Sequence, residues 1–369
     1  MLFSKKTNTV IVGLYIFSII VSAAFGGGKF SFWGLANWGT MLALLVTSFY
    51  QYPGKYPVLP MAVFSGCLIL HTLYGETSWL SSSLLLVNFL LYLFVCRLPV
   101  KTEWIGYLLG ILMVVNGGVG ILQHLHVVEQ KDWLTSFTGL FENPNSTVSF
   151  GCSALAAVLL FVRNNRVKVA ALVAFALYLA TCHSRNAVLF TAVTGGMYFL
   201  LNTRWKKSAV WLYLLFFIFC LYFMIVLEPH LALEKTGGFF GKDMGSSGRS
   251  HLLLLAVKYF PLTFWGEGVN MPNFYVAHFS GYAIHNFYVN TLYAMGCVYS
   301  VIYIIFVVQL YRALQSTLAR AFLFGFHIFF MFEPGLAFGA TMVVGLPILL
   351  LLLKLGEEKH EHRTRHTVL

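Results

Sequence analysis

The strongest constraint on the fold is a series of long hydrophobic windows that recurs along the whole chain. A helix of about 20 apolar residues crosses a bilayer core about 30 Å thick. Charged residues make up 10% of the chain and hydrophobic residues 59%, whereas soluble domains carry about 25% charged residues. The sequence therefore predicts an all-α integral membrane protein.

The windows predict about twelve transmembrane helices. They cover residues 8–25, 33–50, 57–74, 79–96, 104–122, 147–162, 167–182, 186–202, 208–227, 286–311, 318–332 and 336–354. The first window follows Lys5 and Lys6 without a convincing signal-peptide cleavage site, so we expect it to remain as a helix. The chain then divides into helices one to nine (1–227), a large outer loop (228–285), helices ten to twelve (286–354) and a tail (355–369).

Basic residues are distributed unevenly between the two predicted sides of the membrane. With the amino terminus inside, most of the 24 lysines and arginines fall in inner segments, as the positive-inside rule requires. Both termini are then cytoplasmic. The net charge of +11 is mainly a topology signal, with a contribution from anionic membrane lipids. It does not indicate a nucleic-acid partner, which would need a soluble basic surface.

The loop 228–285 is the one long polar interruption of the apolar pattern. Long loops are uncommon and often functional. Within this loop, residues 250–260 are mostly apolar, too short to span a membrane, and followed by Pro261. This pattern predicts a short helix that lies at the membrane surface or dips into it.

Three polar sets fall on the predicted outer side, where ionisable groups beside a bilayer are functional candidates. They are Glu142, Asn143 and Asn145 before the sixth window, His183 and Arg185 between the seventh and eighth, and Arg249, His285 and Asn286 in and after the large loop. Each set also has a purely structural interpretation. The first set would be a turn that starts a helix, the second an arginine that anchors at the membrane interface, and the third a histidine at a helix cap.

The residue types in these sets suit chemistry on an anionic substrate. The guanidinium of Arg249 can form two parallel bonds to phosphate oxygens. An imidazole titrates near neutral pH, so His285 suits the role of general base. The acids Glu142, Asp243 and Glu267 lie on the same predicted side and compete for that role.

Four motifs follow one another along the chain. They are Phe141-Glu142-Asn143-Pro144-Asn145, Ser184-Arg185, Ser247-Gly248-Arg249 with Gly266-x-Gly268, and His285-Asn286 followed by Gly296. This order resembles the O-antigen ligase and O-antigen polymerase superfamily, over about residues 145–296. Arg185 and Gly196 also match an Arg-x10-Gly pattern of some polymerases, whereas Phe260 stands where the glycine following Arg249 would be.

The resemblance implies a membrane glycosyltransferase of the C-type architecture in the bacterial inner membrane. Such enzymes take a glycan from undecaprenyl diphosphate on the periplasmic face, without a metal or other cofactor. Arg185 and Arg249 would then stabilise the departing diphosphate, and His285 would accept the proton of the acceptor in an inverting transfer. The expected substrate-binding residues are Asn286, Asn145, Asn143, Glu142 and His183.

The acceptor separates two functions within this superfamily. Transfer to the core sugars of lipid A would make the protein an O-antigen ligase of lipopolysaccharide biosynthesis, which the His-Asn and Asn-Pro-Asn motifs favour. Transfer to a second lipid-linked repeat would make it a polymerase of O-antigen or capsule. Twelve helices also fit a secondary transporter or flippase, which would place charged residues or broken helices near the bilayer middle. The predicted spans are almost uncharged, which favours the enzyme.

Overall fold

The computed structural model describes residues 4–24, 32–51, 55, 57–74, 79–124, 139–141, 144–182, 184–227, 253, 256–258, 264–266, 286–332 and 345–367. The long regular elements in these ranges are helices. In chain order they are α1 (Lys5–Ala24), α2 (Phe32–Tyr50), α3 (Val58–Tyr74), α4 (Trp79–Phe94), α5 (Thr102–His124), α6 (Pro144–Phe161), α7 (Asn165–Cys182), α8 (Arg185–Leu201), α9 (Lys206–Tyr222), α10 (Phe287–Ala313), α11 (Thr317–Phe330) and α12 (Leu346–Thr367). A short 3₁₀ turn (Val95–Arg97) follows α4, and a π turn (Phe223–Leu227) follows α9.

Each predicted hydrophobic window overlaps one of these helices, and the last helix extends past its window toward the carboxyl end. The window predicts a helix over 336–354 and a separate polar tail over 355–369. Residues 336–344 lie outside the described residues, and α12 begins at Leu346 and continues to Thr367. The polar tail is therefore helical over most of its length.

Two carboxylates explain why α12 continues past its apolar part. Glu357 accepts a hydrogen bond from the Thr102 hydroxyl at the start of α5, at 2.6 Å. Glu358 accepts from the main-chain N–H groups of Gln315 (2.7 Å) and Ser316 (3.0 Å), in the turn between α10 and α11. These bonds fix the polar turns of α12 against two other elements.

Four helices within the described ranges are long and apolar enough to cross a membrane. They are Lys5–Ala24, Thr102–Gln123, Lys206–Leu227 and Phe287–Ala313. The exterior of α9 is apolar, since Trp211 is 70% exposed, Leu215 64% and Ile218 61%. Lipid, rather than water, suits a surface of this kind, so the architecture is consistent with an α-helical membrane protein.

Hydrogen bonds define one end of the helix bundle, which we call the basic end. Asn8 near the start of α1 donates to Gln51 after α2 (3.0 Å) and to the Pro99 carbonyl before α5 (3.2 Å). The Thr102–Glu357 bond joins the start of α5 to α12 at this same end. The end of α10 and the start of α11 also lie here, through Glu358.

The opposite end, which we call the motif end, contains the starts of α6, α8 and α10. The orientation of α8 follows from its packing on α11, which starts at the basic end. The Phe190 ring near the start of α8 lies 5.0 Å from the Phe326 ring and 6.4 Å from the Phe329 ring, near the end of α11. Farther along α8, Thr194 meets Gly325 so closely that no larger residue fits there. The two helices are therefore antiparallel.

Helix α10 is interrupted at Gly296, where φ is +78°. Gly296 lies roughly 13 Å along the axis from Phe287, at 1.5 Å per residue. Residues Phe264 and Gly266 of the large loop fill the interruption, and the Val298 N–H donates to the Phe264 carbonyl at 3.4 Å. A Cβ on Gly296 would overlap that carbonyl, and one on Gly266 (φ +79°) would overlap the α10 backbone. Two glycines thus allow the loop backbone to pack directly against the α10 backbone, while the Phe264 side chain stays exposed.

A second part of the large loop is also buried. Leu253 is 1% exposed and Ala256 is fully buried, and both belong to the main hydrophobic core. Val257 is 48% exposed, so the described part of 250–260 has one face in the core and one outside. The described residues of this segment therefore pack one face against the protein core.

Candidate functional site

Arg185 is the first residue of α8, at the motif end. Ser184 adopts an extended conformation before it (φ −94°, ψ 111°), and its hydroxyl accepts from the Ala187 N–H at 3.4 Å. This side-chain cap starts the helix at Arg185, whose own side chain is half-buried. The neighbouring His183 lies outside the described residues. The cap therefore holds a cation at the positive end of a helix dipole.

Asn286 caps α10 at the same end. Its Oδ1 accepts from the N–H groups of Tyr288 (3.1 Å) and Val289 (3.0 Å). The residue is 1% exposed, and its Nδ2 has no hydrogen-bond partner in the described part of the chain. An unsatisfied buried amide costs free energy, so this N–H group is a candidate donor to a substrate.

Several predicted residues of the third set cannot be placed. His285 and Arg249, and the competing acids Asp243 and Glu267, lie outside the described residues. Their proximity to Asn286 and Arg185 therefore stays a prediction.

The turn before α6 is held from inside the bundle. Gly139 (φ +60°) exchanges two hydrogen bonds with the Gln123 side chain, at 2.9 and 3.0 Å. The Leu140 N–H donates to Asn116 Oδ1 at 2.7 Å, and Phe141 is buried. Two amides of α5 thus fix the chain immediately before the Glu-Asn-Pro-Asn motif.

The other side of this motif is held by α7. The Tyr178 hydroxyl donates to the Thr147 carbonyl in the first turn of α6, and Asn116 Nδ2 donates to the same hydroxyl at 3.2 Å. Glu142 and Asn143 lie outside the described residues. Asn145 is the second residue of α6, but its side chain is outside the description. The residues immediately before and after the motif are therefore both held at the motif end.

Aromatic rings place the starts of α8 and α10 beside one helix end. The Phe287 ring, next to Asn286, stacks on Phe330 of α11 at 5.1 Å. Phe329, the preceding residue of α11, contacts Phe190 of α8. The end of α11 consequently lies between the helix starts that carry Arg185 and Asn286. These are the two predicted site residues whose side chains the structure describes, and both are at the motif end.

The electrostatics of the motif end favour an anion. A helix amino terminus carries about half a positive charge and unpaired N–H groups. Three such termini, those of α6, α8 and α10, lie at this end, and so does the carboxyl end of α11, whose partial charge is negative. The full positive charge described at this end is the Arg185 guanidinium. A phosphate is the typical ligand of such termini.

His71 of α3 secures the inserted loop beneath the motif end. Its Nε2 lies 3.0 Å from the carbonyl oxygen of Ala294, which precedes the break at Gly296 by two residues. The ring is also hydrogen bonded to the main chain of Trp265 in the loop. One side chain thus joins α3, α10 and the loop that follows Arg249.

A further polar pair lies between α10 and α11. The Tyr288 hydroxyl donates to the His327 carbonyl at 2.8 Å and lies 2.6 Å from its Nδ1. His327 is 8% exposed, and its Nε2 has no partner among the described residues. Tyr288 of this pair follows the capping residue Asn286 by two positions.

Sequence analysis did not single out the residues that support the site. They are His71, Asn116, Gln123, Tyr178, Tyr288 and His327. The available signal was a polar side chain inside an apolar window, which is costly and therefore often functional.

Comparison with known proteins gives no match, either to a protein-family model or to a curated protein.

Proposed function

We propose that the protein is an O-antigen ligase. It would transfer a glycan from undecaprenyl diphosphate to lipid A-core in lipopolysaccharide biosynthesis. In this proposal twelve transmembrane helices cross the bacterial inner membrane, both termini are cytoplasmic, and the motif end faces the periplasm.

One observation carries the proposal. Arg185 and the buried amide of Asn286 lie at one end of the bundle, on two helix starts that flank the end of α11. A cation, helix termini and an unpaired N–H donor together suit a diphosphate that gains negative charge as its bond to the sugar breaks. The described residues on either side of the Glu-Asn-Pro-Asn motif lie at the same end, and Asn143 and Asn145 would add amides for a sugar.

The reaction is a single displacement at the anomeric carbon of the donor sugar. The acceptor hydroxyl oxygen forms the new bond, and the bond from carbon to diphosphate oxygen breaks with its electron pair. Arg185 and Arg249 stabilise the resulting charge, and His285 accepts the acceptor's proton. Attack opposite the leaving group inverts the anomeric configuration. Asn286, Asn145, Asn143, Glu142 and His183 orient the two substrates.

The break in α10 is the observation that most favours a transporter, because transporters often bind substrate at interrupted helices. Here the interruption is occupied by Phe264 and Gly266 of the same chain, and the Ala294 carbonyl is bonded by His71. Irregular backbone inside a membrane is tolerated when protein covers it. A covered break supports a fixed scaffold for the large loop.

A transfer assay tests the proposal. Purified protein in lipid nanodiscs would receive undecaprenyl-diphosphate-linked glycan with either lipid A-core or additional donor. We expect the glycan on lipid A-core, and we expect His285→Ala and Arg249→Ala to remove most of the transfer.

The control is Arg312→Ala, because Arg312 is exposed at the basic end. If the donor glycan lengthens and none is transferred to lipid A-core, the polymerase is the correct function and the ligase is not. Absence of both products, or full transfer by His285→Ala, would contradict the mechanism.

A further inference from the structure

A cavity of about 430 Å³ opens at the basic end, opposite the proposed active site. Four parts of the chain form its wall: the start of α1, the segment leading into α5, the residue pair after α6, and the later turns of α12. The wall includes Lys5, Lys101, Trp104, Arg163, Glu103 and Glu357.

Three cationic side chains line this cavity, and none of them forms an ion pair with a described carboxylate. They are Lys5, Lys101 and Arg163, all exposed. The main-chain N–H groups of Lys101 and Arg163 donate to Thr9 and to Glu103. In the described part of the chain, the ion pair at this cavity belongs to other residues, Lys354 and Glu357.

The carboxylates of the cavity are mostly engaged within the protein. Glu357 accepts from the Thr102 hydroxyl and pairs with Lys354 at 2.7 Å. Glu103 accepts from the Arg163 N–H at 3.3 Å. Glu361 is the remaining acid of the wall. Because Lys354 offsets the charge of Glu357, the cations Lys5, Lys101 and Arg163 outnumber the two remaining acids of the wall, Glu103 and Glu361. The net charge is therefore positive, and the amino terminus of α5 adds to it.

An apolar track leads away from the cavity along α5. Trp104 at the cavity wall is 65% exposed, Ile111 63% and Val115 46%. These positions are separated by seven and four residues, so they share one face of the helix. Tryptophan is typical of the level where headgroups meet acyl chains. A polar cavity beside an exposed apolar stripe matches the two parts of a phospholipid, a polar headgroup and an apolar acyl chain.

We propose that this cavity binds the phosphate headgroup of an anionic phospholipid, whose acyl chain lies along α5. Lys5, Lys101 and Arg163 would contact the phosphate, and Trp104 would lie beside the glycerol region. The apolar stripe distinguishes this ligand from a free anion, which would gain nothing from it. The site is independent of the proposed transferase activity.

The test measures lipid retained by the full-length protein. Detergent-purified protein would be mixed with phosphatidylglycerol or phosphatidylcholine, and bound lipid counted by native mass spectrometry. We expect preferential retention of phosphatidylglycerol. One cation near a membrane surface changes lipid affinity about fivefold, so the double variant K101A/R163A should lose at least about tenfold.

Lys207→Ala is the matched control, since Lys207 is an exposed cation in the first turn of α9, outside the cavity wall. It should retain lipid as the unaltered protein does. Lys5→Ala provides a second test if the double variant fails to fold, because Lys5 is exposed at the start of α1.

Equal retention of the two lipids would overturn the proposal, as would unchanged retention by both the double variant and Lys5→Ala. Displacement of phosphatidylglycerol by an equal concentration of inorganic phosphate would show a site for a soluble anion instead.

Discussion

The two polar atoms of the Asn286 side chain have different surroundings, so substitutions can test them separately. Its Oδ1 caps α10, whereas its Nδ2 is buried without a partner among the described residues. Asn286→Ser keeps a capping oxygen, so we expect nearly unchanged thermal stability but reduced glycan transfer. Asn286→Ala should in addition lower the free energy of unfolding by about 1 kcal/mol. Thermal unfolding in detergent and the transfer assay measure the two effects.

Equal loss of stability in both Asn286 variants would show that the serine does not replace the cap. Unchanged transfer by Asn286→Ser would remove Nδ2 from the substrate site.

Tyr178 allows a second test at a single hydroxyl group. Tyr178→Phe leaves the Thr147 carbonyl without its donor and Asn116 without its acceptor. We expect a loss of about 2 kcal/mol in stability, since two hydrogen bonds are lost at about 1 kcal/mol each. Tyr222→Phe is the control, because Tyr222 is 50% exposed near the end of α9. Similar midpoints for the two variants in thermal unfolding would contradict an anchoring role.

At the residue scale, sequence reasoning singled out motifs that contain the helix-capping residues Ser184 and Asn286, but it assigned the cap to neither. It also missed the polar groups that support these helix starts. His71 bonds to a carbonyl 223 positions away in sequence, and Asn116 to Tyr178, 62 positions away. A single polar residue in an apolar window does not identify its partner, so these pairs required the fold.

At the scale of elements, the broken α10 depends on two glycines that face each other. Gly296→Ala places a side chain at φ +78° and against the Phe264 carbonyl. We expect the substitution to lower the free energy of unfolding by at least about 2 kcal/mol and to impair transfer by moving the large loop. Thermal unfolding and the transfer assay provide the measurements.

The control is Gly195→Ala in α8, where a Cβ would meet no atom within 4 Å. Alanine is favoured over glycine inside a helix, so this variant should be at least as stable as the unaltered protein. If Gly296→Ala unfolds at the same temperature as Gly195→Ala, the loop does not depend on the break.

The ends of the helices show what hydrophobic patterns cannot predict. Windows report which residues prefer lipid or core, and they located most helices within a few residues. They did not predict that α12 continues to Thr367, because this depends on Glu357 and Glu358 bonding to α5 and the α10–α11 turn. Similarly, they did not predict that Leu253 and Ala256 of the loop 228–285 join the protein core, or that Gly266 packs against the α10 backbone.

At the scale of the whole molecule, the helices place two different sets of polar groups at opposite ends of the bundle. The motif end collects helix starts, Arg185 and Asn286, and the basic end collects cations around a cavity. Charge distribution along the sequence predicted this polarity through the positive-inside rule. Which side chains meet at each end could not be derived from it, because that depends on how the helices pack.

The central claim is that the motif end stabilises a departing lipid diphosphate, and Arg185 tests it most directly. The measurement is the initial rate of glycan transfer from undecaprenyl diphosphate to lipid A-core by the purified protein, compared for Arg185→Ala and Arg312→Ala. Loss of one preorganised donor to a developing charge lowers a rate about 100-fold, so we predict that decrease for Arg185→Ala and a normal rate for Arg312→Ala. Transfer by a folded Arg185→Ala variant at the rate of the unaltered protein would contradict the account.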